Sequence, residues 1–116
     1  MKILLVDDDP CSVSALANLL QFDHTLWIAR NGVEALEQCR KELFDVVVTD
    51  IRMPKMNGVE LIEALSREEN HAPVILMSGF SDLIDPATVG NNNVIACFLK
   101  PINVGKFMET LDAIGQ

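Results

Sequence analysis

The sequence predicts an α/β fold: a single five-unit (βα)5 doubly wound parallel sheet with helices on both faces. Three observations point there. Short, near-continuous apolar runs recur along the chain, as parallel strands buried on both faces require. Amphipathic stretches, with apolar residues every three or four positions, alternate with those runs. Most of these stretches open on a residue suited to cap a helix.

In chain order, the first strand is expected over Ile3–Val6. Asp9 then stands as an N-cap with Pro10 at the first helical position, and Val13, Leu16, Ala17 and Leu20 line one face of a helix ending near Gln21. Thr25–Ala29 reads as a second, weaker strand. The second helix opens on Asn31 with Glu34 three residues on, and presents Ala35, Leu36, Cys39 and Leu43 as one stripe. After a third strand over Asp45–Thr49, Asn57 and Glu60 repeat the same capping pair ahead of Leu61, Ile62 and Leu65. Val74–Met77 and Val94–Leu99 supply the last two strands, and a final helix runs from Val104 to about Ala113, with Phe107, Met108, Leu111 and Ile114 as its apolar face. The fourth helical slot is different. Asp85-Pro86 can start a helix, but Gly90-Asn91-Asn92-Asn93 follows at once. A short or frayed helix over Pro86–Val89 is expected there, with Pro86–Asn93 more mobile than the other helices.

The chain has 116 residues, 49% of them hydrophobic, which suits one domain over residues 1–116 and a core that needs no disulfide or metal staple. Its net charge of −8 repels a phosphate backbone and an anionic lipid surface, so no direct nucleic-acid binding is expected. Cys11, Cys39 and Cys97 show no metal-ligand spacing and read as reduced core residues of an intracellular protein. The apolar run after Lys2 is too short for a signal-peptide core of about 7–15 residues, and no run reaches the roughly 20 residues that span a bilayer. A soluble, cytoplasmic protein without membrane insertion is expected.

In such a sheet, the working site lies beyond the carboxyl ends of the strands. Asp7-Asp8-Asp9 follow the first strand, Asp50 ends the third, Ser78-Gly79 follow the fourth and Lys100-Pro101 follow the fifth. Asp9 is accounted for as a helix cap. Crowded carboxylates at Asp7, Asp8 and Asp50 repel one another unless a cation neutralises them, and an oxygen-only set without His or thiolate suits Mg²⁺ better than Zn²⁺.

These residues in this order resemble the receiver domain of two-component response regulators. The matching elements are Asp7-Asp8 after an apolar strand, Asp50 in Val47-Val48-Thr49-Asp50-Ile51-Arg52-Met53-Pro54, Asn57-Gly58 opening the next helix, Ser78 in Leu76-Met77-Ser78-Gly79, and Lys100-Pro101. The resemblance covers essentially the whole chain and implies a flavodoxin-like strand order 2-1-3-4-5. It implies that Asp50 accepts a phosphoryl group from a histidine kinase or histidine phosphotransfer protein. Asp8 would bind Mg²⁺ directly, Asp7 directly or through water, and Asp50 and the carbonyl of Arg52 would complete the protein's share. Lys100 would neutralise charge on the phosphoryl oxygens, and Ser78 would hydrogen-bond one of them and move with it. Arg52 and Phe80 would influence the lifetime of the acyl phosphate. The kinase-side partner would dock on an apolar surface around the first helix. Output would lie in another domain or protein, a homodimer is left open, and the chain would be a stand-alone receiver or the N-terminal receiver of a longer regulator.

One position departs from the family pattern. Three residues before the matching Lys, receivers usually carry Tyr or Phe as a moving ring, but Cys97 stands there. Phe98 is one place off and should face the opposite side of the sheet, so the aromatic switch is not expected here. A redox role for Cys97 is disfavoured, because an apolar strand raises a thiol pKa. Other function classes fit less well. A phosphohydrolase would need an acid two residues after its nucleophile, where Arg52 stands. A nucleotide- or flavin-binding domain would need an anion-binding loop in place of Asp7-Asp8-Asp9. A degenerate receiver acting by constitutive contacts is opposed by the complete set of acids, hydroxyl and lysine. The expectation is a signalling switch, not an enzyme, whose only chemistry is on its own Asp50.

Overall fold

The structure, a computed structural model, describes residues 1–70, 72–79 and 93–115. Along the chain run β1 (Lys2–Val6), α1 (Pro10–Leu20), β2 (Thr25–Ala29), α2 (Gly32–Lys41), β3 (Val46–Asp50), α3 (Gly58–Arg67), β4 (Val74–Ser78), β5 (Val94–Leu99) and a C-terminal helix, α4 (Val104–Ile114). The five strands are all parallel and lie in the order β2-β1-β3-β4-β5, a flavodoxin-like α/β sheet. The expected short helix over Pro86–Val89, the mobility expected of residues 86–92, and Phe80 lie outside the described residues.

Period-two alternation along the strands divides the core into two layers. Leu4, Val6, Val47, Val74 and Leu76 pack with Ala35, Leu36 and Cys39 of α2 and Leu61, Ile62 and Leu65 of α3. Ile3, Leu5, Val46, Val48, Ile75 and Met77 point the other way, against Leu16 and Leu20 of α1 and Phe107 and Leu111 of α4. Every residue of β3 and β4 is buried, as the apolar runs predict for strands covered on both faces.

The helix starts follow from local chemistry. Asp9 accepts the Cys11 amide at 3.0 Å, with Pro10 at the first helical position where its missing N–H costs nothing. Asn31 accepts from the Glu34 amide at 2.9 Å. Asn57 and Glu60 form a complete capping box, the Glu60 amide donating to Asn57 Oδ1 at 2.8 Å and the Asn57 amide to Glu60 Oε1 at 3.1 Å.

Three expectations need correction. Leu43 does not extend the α2 stripe: the helix ends at Lys41, Glu42 is extended, and Leu43 is 85% exposed while Phe44 takes the core position against Trp27. Only Cys39 is a core cysteine, since Cys11 on the first turn of α1 and Cys97 on β5 are exposed. β5 is not covered on both faces; its burial alternates, with Ile95, Cys97 and Leu99 exposed, and a register irregularity beside Val74 places Ile95 opposite no residue of β4.

Candidate functional site

Strand register assembles the site. Val6 lies opposite Thr49, so Asp7 and Asp50, each one residue further, come level at the carboxyl edge of the two central strands. Asp50 lies opposite Met77 and Ser78 opposite Leu99, which carries Ser78 and then Lys100 stepwise toward the same edge. The Lys100 amide donates to the Ser78 carbonyl at 2.8 Å, so the ends of β4 and β5 are tied where both side chains leave the sheet.

At this edge the Lys100 ammonium donates to Asp50 Oδ2 at 2.7 Å and to Asp7 Oδ2 at 3.3 Å. Asp7 is 3% exposed and Asp50 8%, so two carboxylates are buried side by side around one cation. Asp8 is exposed, yet one oxygen from each of Asp7, Asp8 and Asp50 lies within 4.8 Å of the others. Ser78 is buried at the same edge. Arg52 lies in the loop after β3, its side chain exposed.

The electrostatics follow from burial. Desolvation pushes the Asp7 carboxyl above its ordinary range, against the pull of the Asp9 amide, which donates to Asp7 Oδ1 at 3.0 Å, and of Lys100. Desolvation also pulls the Lys100 ammonium down, but its hydrogen bond to Asp50 and the charges of Asp50 and Asp7 outweigh this and leave it above its ordinary value. The pocket therefore holds Lys100 charged, while burial makes an Asp7 carboxylate costly to leave without a neutralising partner.

Three contributors escape sequence reasoning. Thr49, buried among valines, donates its hydroxyl to the Asp50 carbonyl at 3.0 Å. The Asp9 amide orients Asp7, while the Asp9 carboxylate serves the helix start. Gly58 packs so closely under β3 that a Cβ there would collide with the Asp50 carbonyl oxygen and crowd Ile51 Cα. Thr in an apolar run and Gly at a helix start were the available signals, and both also occur without functional consequence. Cys97 and Phe98 fall as expected on opposite faces: Phe98 stacks edge-on against Phe107 of α4 at 5.7 Å between ring centroids, while Cys97 is exposed with its thiol pushed up by partial burial.

An oxygen-only donor set, buried on one side and open at Asp8, fits a hard divalent cation that keeps several waters. Fold and site together define a parallel α/β domain with a lysine-bridged acidic pocket at the carboxyl edge of its sheet. The response regulator receiver domain pattern matches residues 3–112, and the chain belongs to that family, a component of two-component signalling. Among curated relatives, the transcriptional regulatory protein ZraR of Klebsiella oxytoca is 32% identical over 96% of the chain, which spans 25% of that protein's length. The polar-differentiation response regulator DivK of Brucella anthropi is 29% identical, with 95% of the chain matching 92% of the relative. Among solved structures, the N-terminal domain of a Wolinella succinogenes protein superposes with a TM-score of 0.90 at 31% identity, covering 98% of this chain and 93% of that one. A CheY-like receiver from Methanospirillum hungatei superposes at 0.84 and 28% identity, covering 98% and 95%.

Proposed function

We propose that residues 1–116 form a phosphorylatable receiver: Asp50 takes a phosphoryl group from a phosphohistidine on a sensor kinase or phosphotransfer protein, and the modified chain switches an output. The observation that carries this reading is the single ammonium of Lys100 bridging two buried carboxylates, Asp50 at 2.7 Å and Asp7 at 3.3 Å, beside a third at Asp8. A carboxylate meant only for structure gains nothing from being buried beside two others. One that must accept a dianionic group needs cations already in place.

The residues would divide the work as follows. A carboxylate oxygen of Asp50 attacks phosphorus, the P–N bond to the donor imidazole breaks, and the bonding pair leaves with the ring, which takes a proton from water. Asp7, Asp8, Asp50 and the Arg52 carbonyl are the groups that would hold Mg²⁺, which when bound neutralises negative charge on the transferring phosphoryl oxygens. Lys100 moves from pairing Asp50 to pairing a phosphoryl oxygen. Ser78, buried at the same edge, donates its hydroxyl to another, and that bond draws the end of β4 toward Asp50.

Docking of the donor is supported by an apolar hollow of about 520 Å³ beside Lys100, lined by Ala15, Leu16, Leu19, Ile102 and Val104. Leu19 and Val104 are 42% and 46% exposed on its rim, more apolar surface than α1 and α4 need for their own core. The output is carried by another domain or protein, in the cytoplasm; no helix among the described residues is long and apolar enough to cross a membrane.

Incubation with acetyl phosphate followed by intact mass measurement tests the reading. A gain of one phosphoryl group with Mg²⁺ is expected, absent with a chelator and absent in Asp50→Ala. A folded wild-type chain that gains no mass from either acetyl phosphate or a phosphorylated phosphotransfer domain contradicts it.

A further inference from the structure

The loop between β3 and α3 begins beside Asp50 and carries the Arg52 carbonyl, and its far end is held in an unusual way. The Met56 amide donates to the Pro54 carbonyl at 2.7 Å, and Lys55 between them sits at φ 67°. A three-residue turn with positive φ is rare for a residue with a side chain and persists only where its surroundings over-determine it. The surroundings here belong to α2. Gly32, the first residue of that helix and buried, donates its amide to the Met56 carbonyl at 3.0 Å. A Cβ built on Gly32 would stand 2.6 Å from both the carbonyl oxygen and Cγ of Met56, and 2.8 Å from its Cβ. Positive φ is not the reason for glycine at this position; the close approach of Met56 is. Helix propensity alone would favour alanine.

At the near end of the loop, the Gly58 amide donates to the Ile51 carbonyl at 2.8 Å, directly below Asp50. The loop is thus pinned twice by glycines, once under the phosphoacceptor and once against the N-terminus of a helix that contributes no residue to the acidic pocket.

From this we infer that Gly32 is a positioning residue for the cation pocket: through Met56 and the turn at residues 54–56, the N-terminus of α2 sets the loop that presents the Arg52 carbonyl beside Asp50. The inference rests on the receiver reading and deepens it. It carries a reciprocal consequence, because a bond that places the loop for a cation must itself be strengthened when the cation binds.

The test combines calorimetric titration with MgCl₂ and native-state amide exchange on the wild-type chain, with Gly32→Ala and, as a control on the exposed side of the same helix, Glu37→Ala. Saturating Mg²⁺ is expected to slow exchange at the Gly32 amide by about fivefold or more relative to the Glu42 amide at the other end of α2. Gly32→Ala is expected to weaken Mg²⁺ binding by a similar factor while Glu37→Ala leaves it unchanged. If the wild type binds Mg²⁺ and the Gly32 and Glu42 amides respond alike, the inference is overturned, whether or not Gly32→Ala folds. A folded Gly32→Ala that binds Mg²⁺ like the wild type overturns it too. A wild type that binds no Mg²⁺ removes the receiver reading itself, a result separable from either of these.

Discussion

Lys100 makes the burial of two neighbouring acids tolerable. Without its ammonium, Asp7 and Asp50 would face each other in a poorly solvated pocket, and removing one partner of such a pair costs more than forming it gained. Lys100→Met keeps the stem and removes the charge. In chelator it should lower the unfolding free energy by about 1–2 kcal/mol, discounted for the partial exposure of Lys100. Added Mg²⁺ should narrow the gap in urea titrations, because a bound cation replaces the lost neutralisation. A gap indifferent to Mg²⁺ would place the cation elsewhere. Cys39 gives a pH signature independent of the site. Burial, and then the Glu68 charge, push its thiol up to about 11 from 9.0. A raised folded-state pKa means stability that is complete below pH 9 and lost as pH rises toward 11, because the unfolded chain releases its thiol proton first. The loss should reach about 2 kcal/mol. Cys39→Ser should flatten this decline in urea midpoints measured between those pH values.

The starts of α1, α2 and α3 were legible because capping is local chemistry: an Asp or Asn accepts an amide two or three residues on, whatever the rest of the chain does. The stop of α2 was not. Leu43 continues the spacing set by Ala35, Leu36 and Cys39, and nothing in the pattern marks Glu42 as extended or predicts that Phe44 rather than Leu43 will turn inward to meet Trp27. That choice is made by packing against β2, which a periodicity cannot register. The outward row of Ile95, Cys97 and Leu99 on β5 was hidden for a related reason: an edge strand can carry apolar residues on an exposed face, so an apolar run does not report which faces are covered. The capping box of α3 also adjoins the candidate site, since Asn57 stands between the Met56 turn and Gly58 beneath Asp50. Asn57→Ala should cost about 1 kcal/mol of stability in urea denaturation, the usual cost of an unmet cap. Asn57→Ser should recover most of it, whereas equal losses in both variants would deny the cap its role.

Across the whole molecule, the parallel sheet turns residues scattered from position 7 to position 100 into one pocket, because every strand delivers its carboxyl end to the same edge. This is why the candidate site was readable from order along the chain: once the strands were recognised, the residues following them had to converge. Register, and with it the 2.7 Å contact between Lys100 and Asp50, was not readable, since it depends on how each strand slides against its neighbour. The close approaches of Gly32 to Met56 and of Gly58 to Asp50 were invisible for a related reason, being set by how separate segments pack against each other. On the proposed function, this convergence serves the phosphorylation of Asp50. The most direct measurement is transfer from a phosphorylated histidine phosphotransfer domain in the presence of Mg²⁺, followed by borohydride reduction of the acyl phosphate and mapping of peptides by mass spectrometry. Conversion of Asp50, and of no other residue, to homoserine is the predicted result; transfer that labels a different side chain, or that proceeds unchanged in Asp50→Ala, would contradict it.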